Sequence, residues 1–415
     1  MSSSPGPSLS TFASTPDPQG RPHQSFNPAA FTRNLNYPTA VRFGPGRISE
    51  LPAACRALGM TRPLLVTDPG LAALPVVAEA LRINHDAGLP TGLFSDVKPN
   101  PVGKNVDDGV AAFKAGGHDG VIAFGGGSAL DAAKAIALMV GQDRPLWDYE
   151  DVGDWWTRVK PEGMAPVVAV PTTSGTGSEV GRASVIKDEA AQVKKIIFHP
   201  KMLPAIVIAD PALTVGLPKG ATAATGMDAL SHNLEAYCAP GFHPLADGIA
   251  LEGMRLVDVS LRDATRDGGD LAARSNMMAA SMMGATAFQK GLGGMHALAH
   301  PIGAVLDAHH GLINAVVMPY VLIHNRQAIA ERLARAAAYM GLAEHSFEGF
   351  LNWVLKLRED LGIPHTADAL GVTEAHVDRL AHMAVEDPSA GTNPTVLTAA
   401  EYAQILRKSL AGDLY

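Results

Sequence analysis

The feature that most constrains this chain is a change of rhythm near Asp210. Before it, short apolar runs alternate with stretches of helical spacing; after it, the short runs stop. PLLVTD (63–68) is a short apolar run of the kind buried parallel strands show, and TGLFSDV (91–97), DGVIAFGGGS (119–128), APVVAVPTT (165–173) and AIVIAD (205–210) read as further strands. LAALPVVAEALRINHDAG, VDDGVAAFKAGG and ALDAAKAIALMV carry helical spacing between them, the second closed by glycine. This alternation predicts parallel βαβ units, helices on both faces, and a ligand crevice at the carboxyl ends of the strands. From Thr222 onward, LSHNLEAYCA, ADGIALEGMRLVDVSLRDA, LAARSNMMAASMMGATAF and AIAERLARAAAYMG are helical in period and composition. The expected fold is an α/β region over residues 31–215 and an all-helical region over 216–415, divided near 212–220 at PALTVGLPKG. Residues 1–30 are rich in Ser, Pro, Thr and Gly with few large apolar groups. They cannot offset their ordering entropy and are expected to be a disordered tail.

Composition removes several classes of function. The 415 residues carry a net charge of −8, which argues against a general nucleic-acid binder. No apolar run is long enough to span a bilayer. The N-terminal residues lack the basic start and apolar run of a secretory signal. Cys55 and Cys238 are the only cysteines, far apart, so neither a disulfide scaffold nor a cysteine zinc site is expected. The expectation is a cytoplasmic, multi-domain protein with no nucleic-acid or membrane partner. Met277, Met278, Met282 and Met283 are expected to fill core gaps.

Two loops follow expected strands. Gly125-Gly126-Gly127-Ser128 lies between VIAF and the helix that begins ALDAAK and contains Asp131. Glycines let the backbone approach a ligand, and the helix N-terminus offers free N–H groups to a phosphate. The turn is neither GxGxxG nor a P-loop. The second loop, PTTSGTGSE (171–179), includes Thr172, Thr173, Thr176 and Ser178 and is dense in hydroxyls that can wrap phosphate and ribose oxygens. Together they point to a dinucleotide. Asp68 closes PLLVTD, where a carboxylate can accept from a ribose 2′-hydroxyl and so favour NAD over NADP. It precedes the glycine turn, the reverse of the usual order; the alternative for it is a helix N-cap.

Histidines and an aspartate gather in the helical region. Asp228 and His232 are four apart in ATGMDALSHNLEAY and share a helix face. His296 and His300 are four apart in GGMHALAHPIG, before Pro301, which is expected to disturb their helix. His309 and His310 follow ahead of Gly311. Imidazoles with a carboxylate are ligands for iron(II) or zinc, and an open position would make the site catalytic. Spacing alone leaves His296 with His300 as good a pair as His296 with His310.

The ordered motifs FGGGSALDAAK, PTTSGTGSEV, ATGMDALSHNLEAY, GLGGMHALAHPIG and HHG resemble those of the iron-containing (type III) alcohol dehydrogenases, from about Asn36 to the C-terminus. The resemblance implies an N-terminal dinucleotide-binding domain, a C-terminal helical domain, and metal and nicotinamide meeting between them. It implies Asp228, His232, His296 and His310 as metal ligands and His300 as a histidine beside nicotinamide and substrate. It implies Asp68, Asn100, Gly125, Gly126, Gly127, Ser128, Asp131, Thr172, Thr173, Thr176, Ser178, Lys194 and Leu213 as cofactor-lining positions. His309 stands where a proline often precedes the last ligand, and offers a neighbouring imidazole. The implied activity is NAD-linked hydride transfer between an alcohol and its aldehyde, with Fe(2+) or alternatively Zn(2+) as Lewis acid and a homodimer as the assembly; His300 is either a proton shuttle to solvent or a packing or positioning group.

Three further expectations concern the surroundings. Phe288, Gln289 and Lys290 are expected to face the pocket, with Lys290 either pairing an anionic substrate group or ending a helix in solvent. Trp147, Trp155 and Trp156 are expected to anchor a surface excursion. The competing functions are a glycerol-1-phosphate dehydrogenase-like polyol enzyme of the same superfamily, or a nucleotide- or metal-binding sensor without turnover.

Overall fold

The computed structural model describes residues 39–415, so the tail expected over residues 1–30 lies outside the described residues. The first half runs β1 (Ala40–Phe43), α1 (Leu51–Ala57), β2 (Leu64–Val66), α2 (Pro69–Ala72), α3 (Pro75–Asp86), β3 (Gly92–Phe94), α4 (Gly103–Ala115), β4 (Val121–Gly125), α5 (Gly127–Met139), β5 (Val167–Pro171), β6 (Ala183–Asp188), β7 (Val193–Phe198) and β8 (Ile206–Ala209). Six strands form a parallel sheet in the order β1-β8-β5-β4-β2-β3. Strand side chains alternate between faces, and both faces are covered. Leu64, Val66, Val121, Ala123, Val167, Ala169 and Val207 pack with Val106 and Phe113 of α4 and most of α5. Leu65, Ile122, Phe124, Val168, Val170, Ile206 and Ile208 pack with Leu51 of α1 and with Val77 and Ala80 of α3. This explains the unbroken apolar runs.

The chain moves from β2 outward to β3, then returns past β2 to β4 and onward to β5 and β8. The order therefore reverses between β2 and β4, and a crevice opens outside their carboxyl ends. Asp68 follows β2 and the glycine turn follows β4, so both stand at that reversal.

The second half is helical: α6 (Lys219–Cys238), α7 (Pro244–Arg266), α8 (Leu271–Ala287), α9 (Gly294–Leu306), α10 (His310–His324), α11 (Arg326–Met340), α12 (Phe347–Asp360), α13 (Glu374–Glu386) and α14 (Ala399–Ala411). One apolar cluster runs through it. Every residue of α6 from Gly226 to Cys238 is buried, so α6 is the central rod against which the others pack. Met277 joins the helical core and Met278 the sheet-side core, which places α8 across the join. Among the described residues, no helix is long and apolar enough to cross a membrane.

Several local expectations are corrected. The single helix expected over LAALPVVAEALRINHDAG is broken: Leu74 is extended (φ −93°, ψ 151°) and Pro75 opens α3. A residue before proline avoids the helical region, and proline suits a first helical position. Pro301 does not stop its helix; α9 continues to Leu306. Proline removes one helical N–H bond, and the tertiary packing of the largely buried α9 outweighs that local preference. Two features were not anticipated: the short edge strand β1 and the antiparallel hairpin β6–β7. The hairpin strands ASVIKD and VKKIIF are largely half-buried and carry charges, so they lack the apolar runs that revealed the other strands.

Candidate metal centre and adjoining crevice

The α6 helix sets Asp228 and His232 one turn apart on one buried face. His296 comes from the first turn of α9, and His310 opens α10. Glycine at 311 permits the last of these approaches. A Cβ there would lie 2.3 Å from the Ala224 carbonyl oxygen and 3.0 Å from Asp228 Cβ. Ligand-capable atoms of Asp228, His232, His296 and His310 all fall within 4.8 Å of one another. The rings of His232 and His296 stack at 4.7 Å, those of His296 and His310 sit 5.2 Å apart, and His310 Nε2 is 3.5 Å from Asp228 Oδ1.

Protonation favours ligation. Burial pushes His296 and His310 well below the usual imidazole range, and neighbouring histidines push further, so both are neutral near pH 7. Glu235 accepts from Gly293 N at 2.9 Å and Met295 N at 2.6 Å and lies 2.6 Å from His296 Nδ1. Burial pushes its carboxyl up to about 7, against those N–H donors. With Nδ1–H turned to Glu235, the lone pair of His296 Nε2 faces the cluster. Asn314, one turn beyond His310, places Nδ2 3.0 Å from Asp228 Oδ1 and 3.3 Å from Nε2 of both His296 and His310. Buried atoms left without a partner among the described residues include His232 Nδ1, His310 Nδ1 and Asn314 Oδ1. A compact set of three imidazoles around one carboxylate fits a divalent cation.

His300, one turn after His296, is not in that four-residue group. Its ring lies nearly parallel to that of His310 (10°, 5.4 Å) and its Nδ1 is 2.8 Å from Asp387 Oδ2. His309 is exposed and its Nδ1 accepts from Leu312 N, capping α10, so it gives the cluster no further imidazole. Phe288 meets the His232 ring edge-on at 5.2 Å. Lys290 satisfies neither expectation. Its side chain is 1% exposed, and its Nζ is held by Asp247 Oδ1 at 2.5 Å and the Tyr237 carbonyl at 3.2 Å. It is an internal ion pair between helices.

On the sheet side, Gly125 has φ +141°, a conformation side chains rarely adopt, and the N-terminus of α5 has no side-chain cap among the described residues. The second loop closes over this turn. A Cβ on Gly127 would meet Thr176, and one on Gly126 would meet Thr173. The same loop touches the helices: Gly175 lies against Thr225 of α6 and Gly177 against Ala285 of α8. One loop thus joins the glycine turn to the helix that carries Asp228. Beneath it, Asp131 accepts from Ser178 Oγ at 2.5 Å and Val185 N at 2.9 Å. Buried Lys134 bonds to the Ser178 and Ala183 carbonyls. Asp131 and Ser178 therefore anchor the loop to α5.

The remaining expected cofactor positions are dispersed along the crevice. Asp68 Oδ1 accepts from Leu71 N at 2.9 Å, capping α2. Ser128 Oγ donates to the Pro99 carbonyl, and Asn100 Nδ2 donates to Asp307 Oδ1. The latter bond links the loop after β3 to the turn that leads into His310. Lys194 on β7 points at Gly303 of α9, and burial pushes its ammonium down to about 8. Leu213 packs at the edge of the sheet-side core. Trp147 lies over the start of α4 at Gly103, and Arg158 stacks on Trp155, which fits an anchored excursion.

Sequence reasoning missed Glu235, Asn314 and Asp387. The first two had a signal, since Glu235 follows His232 by three residues and Asn314 follows His310 by four, each on the ligand's own helix face.

Residues 38–211 match the model of the iron-containing alcohol dehydrogenases, and residues 222–410 match that of the C-terminal region of the same family. The chain is 42% identical to 4-hydroxybutyrate dehydrogenase of Cupriavidus necator over 91% of this chain and 99% of that one. It is 36% identical to an NAD-dependent methanol dehydrogenase of Bacillus methanolicus over 91% of this chain and 100% of the relative. Among solved structures, 1,3-propanediol oxidoreductase superposes with a TM-score of 0.87 at 37% identity, covering 91% of this chain and all of that one.

Proposed function

The chain belongs to the iron-containing alcohol dehydrogenase family, and on that premise we propose that it interconverts a small alcohol and its aldehyde with NAD(H), using iron(II) held by Asp228, His232, His296 and His310. It is an oxidoreductase of the alcohol dehydrogenase class. The observation that carries the finer reading is the convergence of four donor groups beside a loop that also touches the glycine turn.

When bound, a divalent cation supplies Lewis acidity toward the substrate oxygen, and nicotinamide supplies the hydride exchange. The protein's own residues do the rest. Glu235 orients His296 and keeps its Nε2 lone pair available. The uncapped start of α5 and the turn Gly125-Gly126-Gly127-Ser128 receive phosphate oxygens, and Thr172, Thr173, Thr176, Asn100, Lys194 and Leu213 line the rest of the cofactor. Asp68 accepts from a ribose hydroxyl. Phe288 and the buried helix faces exclude water from the reacting atoms. His300 takes the hydroxyl proton of the alcohol and passes it to solvent. With Lys290 engaged internally, an anionic substrate group would have to find another cation.

The same reading includes a domain boundary near 212–220, a cytoplasmic location and a homodimer. The test is metal analysis of protein purified without oxygen, followed by NAD-linked oxidation of 4-hydroxybutyrate, methanol, 1,3-propanediol and a polyol phosphate. About one iron per chain and turnover of an unphosphorylated alcohol are expected. Metal-loaded, NAD-binding protein that oxidises none of them would overturn the reading, and activity confined to the polyol phosphate with zinc would redirect it.

A further inference from the structure

The EDPSAGTNP segment (386–394) between α13 and α14 carries no motif and is far from the ligands in sequence. In the fold it grips α9 at two places. At the start of the helix, Thr392 Oγ1 donates to the Leu292 carbonyl at 2.8 Å and accepts from Leu292 N at 3.1 Å, while Asn393 Oδ1 accepts from Gly294 N at 2.9 Å. Further along, Asp387 Oδ2 lies 2.8 Å from His300 Nδ1, and Asp387 Oδ1 accepts from Ser389 N at 2.8 Å. The two side chains are 9% and 13% exposed, so water competes little for this contact.

We propose that Asp387 is a positioning residue that fixes the tautomer and ring plane of His300. The inference rests on the reading of His300 as the proton-handling group. A carboxylate can only accept, so His300 Nδ1 must carry the hydrogen, and in the neutral ring Nε2 then keeps its lone pair. Burial alone would raise the Asp387 carboxyl, but His300 and Ser389 hold it below the usual carboxylate range, so it stays an acceptor. The ring is thereby held nearly parallel to His310, on the flank of the metal cluster.

The division of labour between the two carboxylate oxygens makes a sharp test. In Asp387→Asn the amide oxygen stays on Ser389 N–H, because asparagine caps as well as aspartate. The amide NH₂ then faces His300 Nδ1. Two donors cannot face each other, so the ring must move its proton to Nε2. The measurement is a long-range ¹H–¹⁵N spectrum of ¹⁵N-histidine protein loaded with diamagnetic zinc, His300 being assigned by its disappearance in His300→Ala. The wild type is expected to show the Nδ1–H form and Asp387→Asn the Nε2–H form. Turnover of Asp387→Asn should fall roughly 100-fold or more, with zinc content and KM for NAD unchanged. Asp387→Ala, which leaves the ring unguided, should show both tautomers. The Nδ1–H form persisting in both variants, or an inverted tautomer with undiminished kcat, overturns the proposal. His300→Ala separates the two failures. If it leaves kcat intact, the role of His300 falls; if it lowers kcat while Asp387→Asn does not, only the role of Asp387 falls.

Discussion

On the helical side of the molecule the groups that matter are side chains, mostly buried, and three of them are held by another side chain: His296 by Glu235, Asp228 by Asn314, His300 by Asp387. On the sheet side the crevice is made largely of backbone. A glycine turn, an uncapped helix end and a hydroxyl-rich loop face one another, and the side chains among them are turned inward as anchors or stand half-exposed at the rim. Ion coordination needs atoms of fixed type at fixed separation, which neutral imidazoles and a carboxylate supply. A pyrophosphate needs several N–H donors and room, which backbone supplies and any added carbon removes. The helical side should therefore fail when atoms are deleted, and the sheet side when atoms are added.

Substitutions can break that contrast. The largest effect is expected for Asp228→Ala: metal content should fall to background and turnover drop at least about 1000-fold, roughly 4 kcal/mol of barrier, while NADH binding by fluorescence is kept. Metal retained at wild-type stoichiometry would end the four-ligand assignment. Next comes Glu235→Gln, which removes one of two acceptor oxygens shared among Gly293 N, Met295 N and His296 Nδ1. Metal affinity by chelator competition should weaken roughly 10–100-fold. An unchanged affinity would mean the helical side does not depend on its supporting carboxylate. On the other side, Gly127→Ala puts a methyl 2.5 Å from Thr176 Cγ2. The Kd for NAD should rise about tenfold, or 1.4 kcal/mol, with metal affinity unmoved. Equal losses in both would show that the two sides are one coupled site. The smallest effect is expected for Asp68→Ala. It removes the α2 cap, for about 0.5–1 kcal/mol of local stability, and should narrow the preference for NAD over NADP in a ratio of kcat/KM values.

How far the sequence could be read varies with the kind of signal. The β2, β4, β5 and β8 strands announced themselves because burial on both faces demands unbroken apolar runs. The β6–β7 hairpin did not, because its strands are largely half-buried and charged. Asp228 and His232 were legible as a pair because one helix fixes their relation. Whether His300 or His310 joined His296 was not legible from spacing, since both follow it within a short stretch. The fold separates them by how α9 ends, at Asp307 with φ 55°, and by how closely glycine at 311 lets α10 approach α6.

The linear order determined what repeats locally: the alternation that makes a parallel sheet, the helical period beyond Asp210, and the residue types able to bind an ion or a phosphate. These follow from neighbours within one turn or one strand, where covalent geometry leaves few choices. Tertiary structure alone decided which distant groups meet. Asp387 reaches His300 across 87 residues and Asn100 reaches Asp307 across 207, and no periodicity records such meetings. They arise because packing of the helices and the sheet brings distant segments together, and polar groups left facing one another, such as largely buried Asp387 and His300, then find partners in each other.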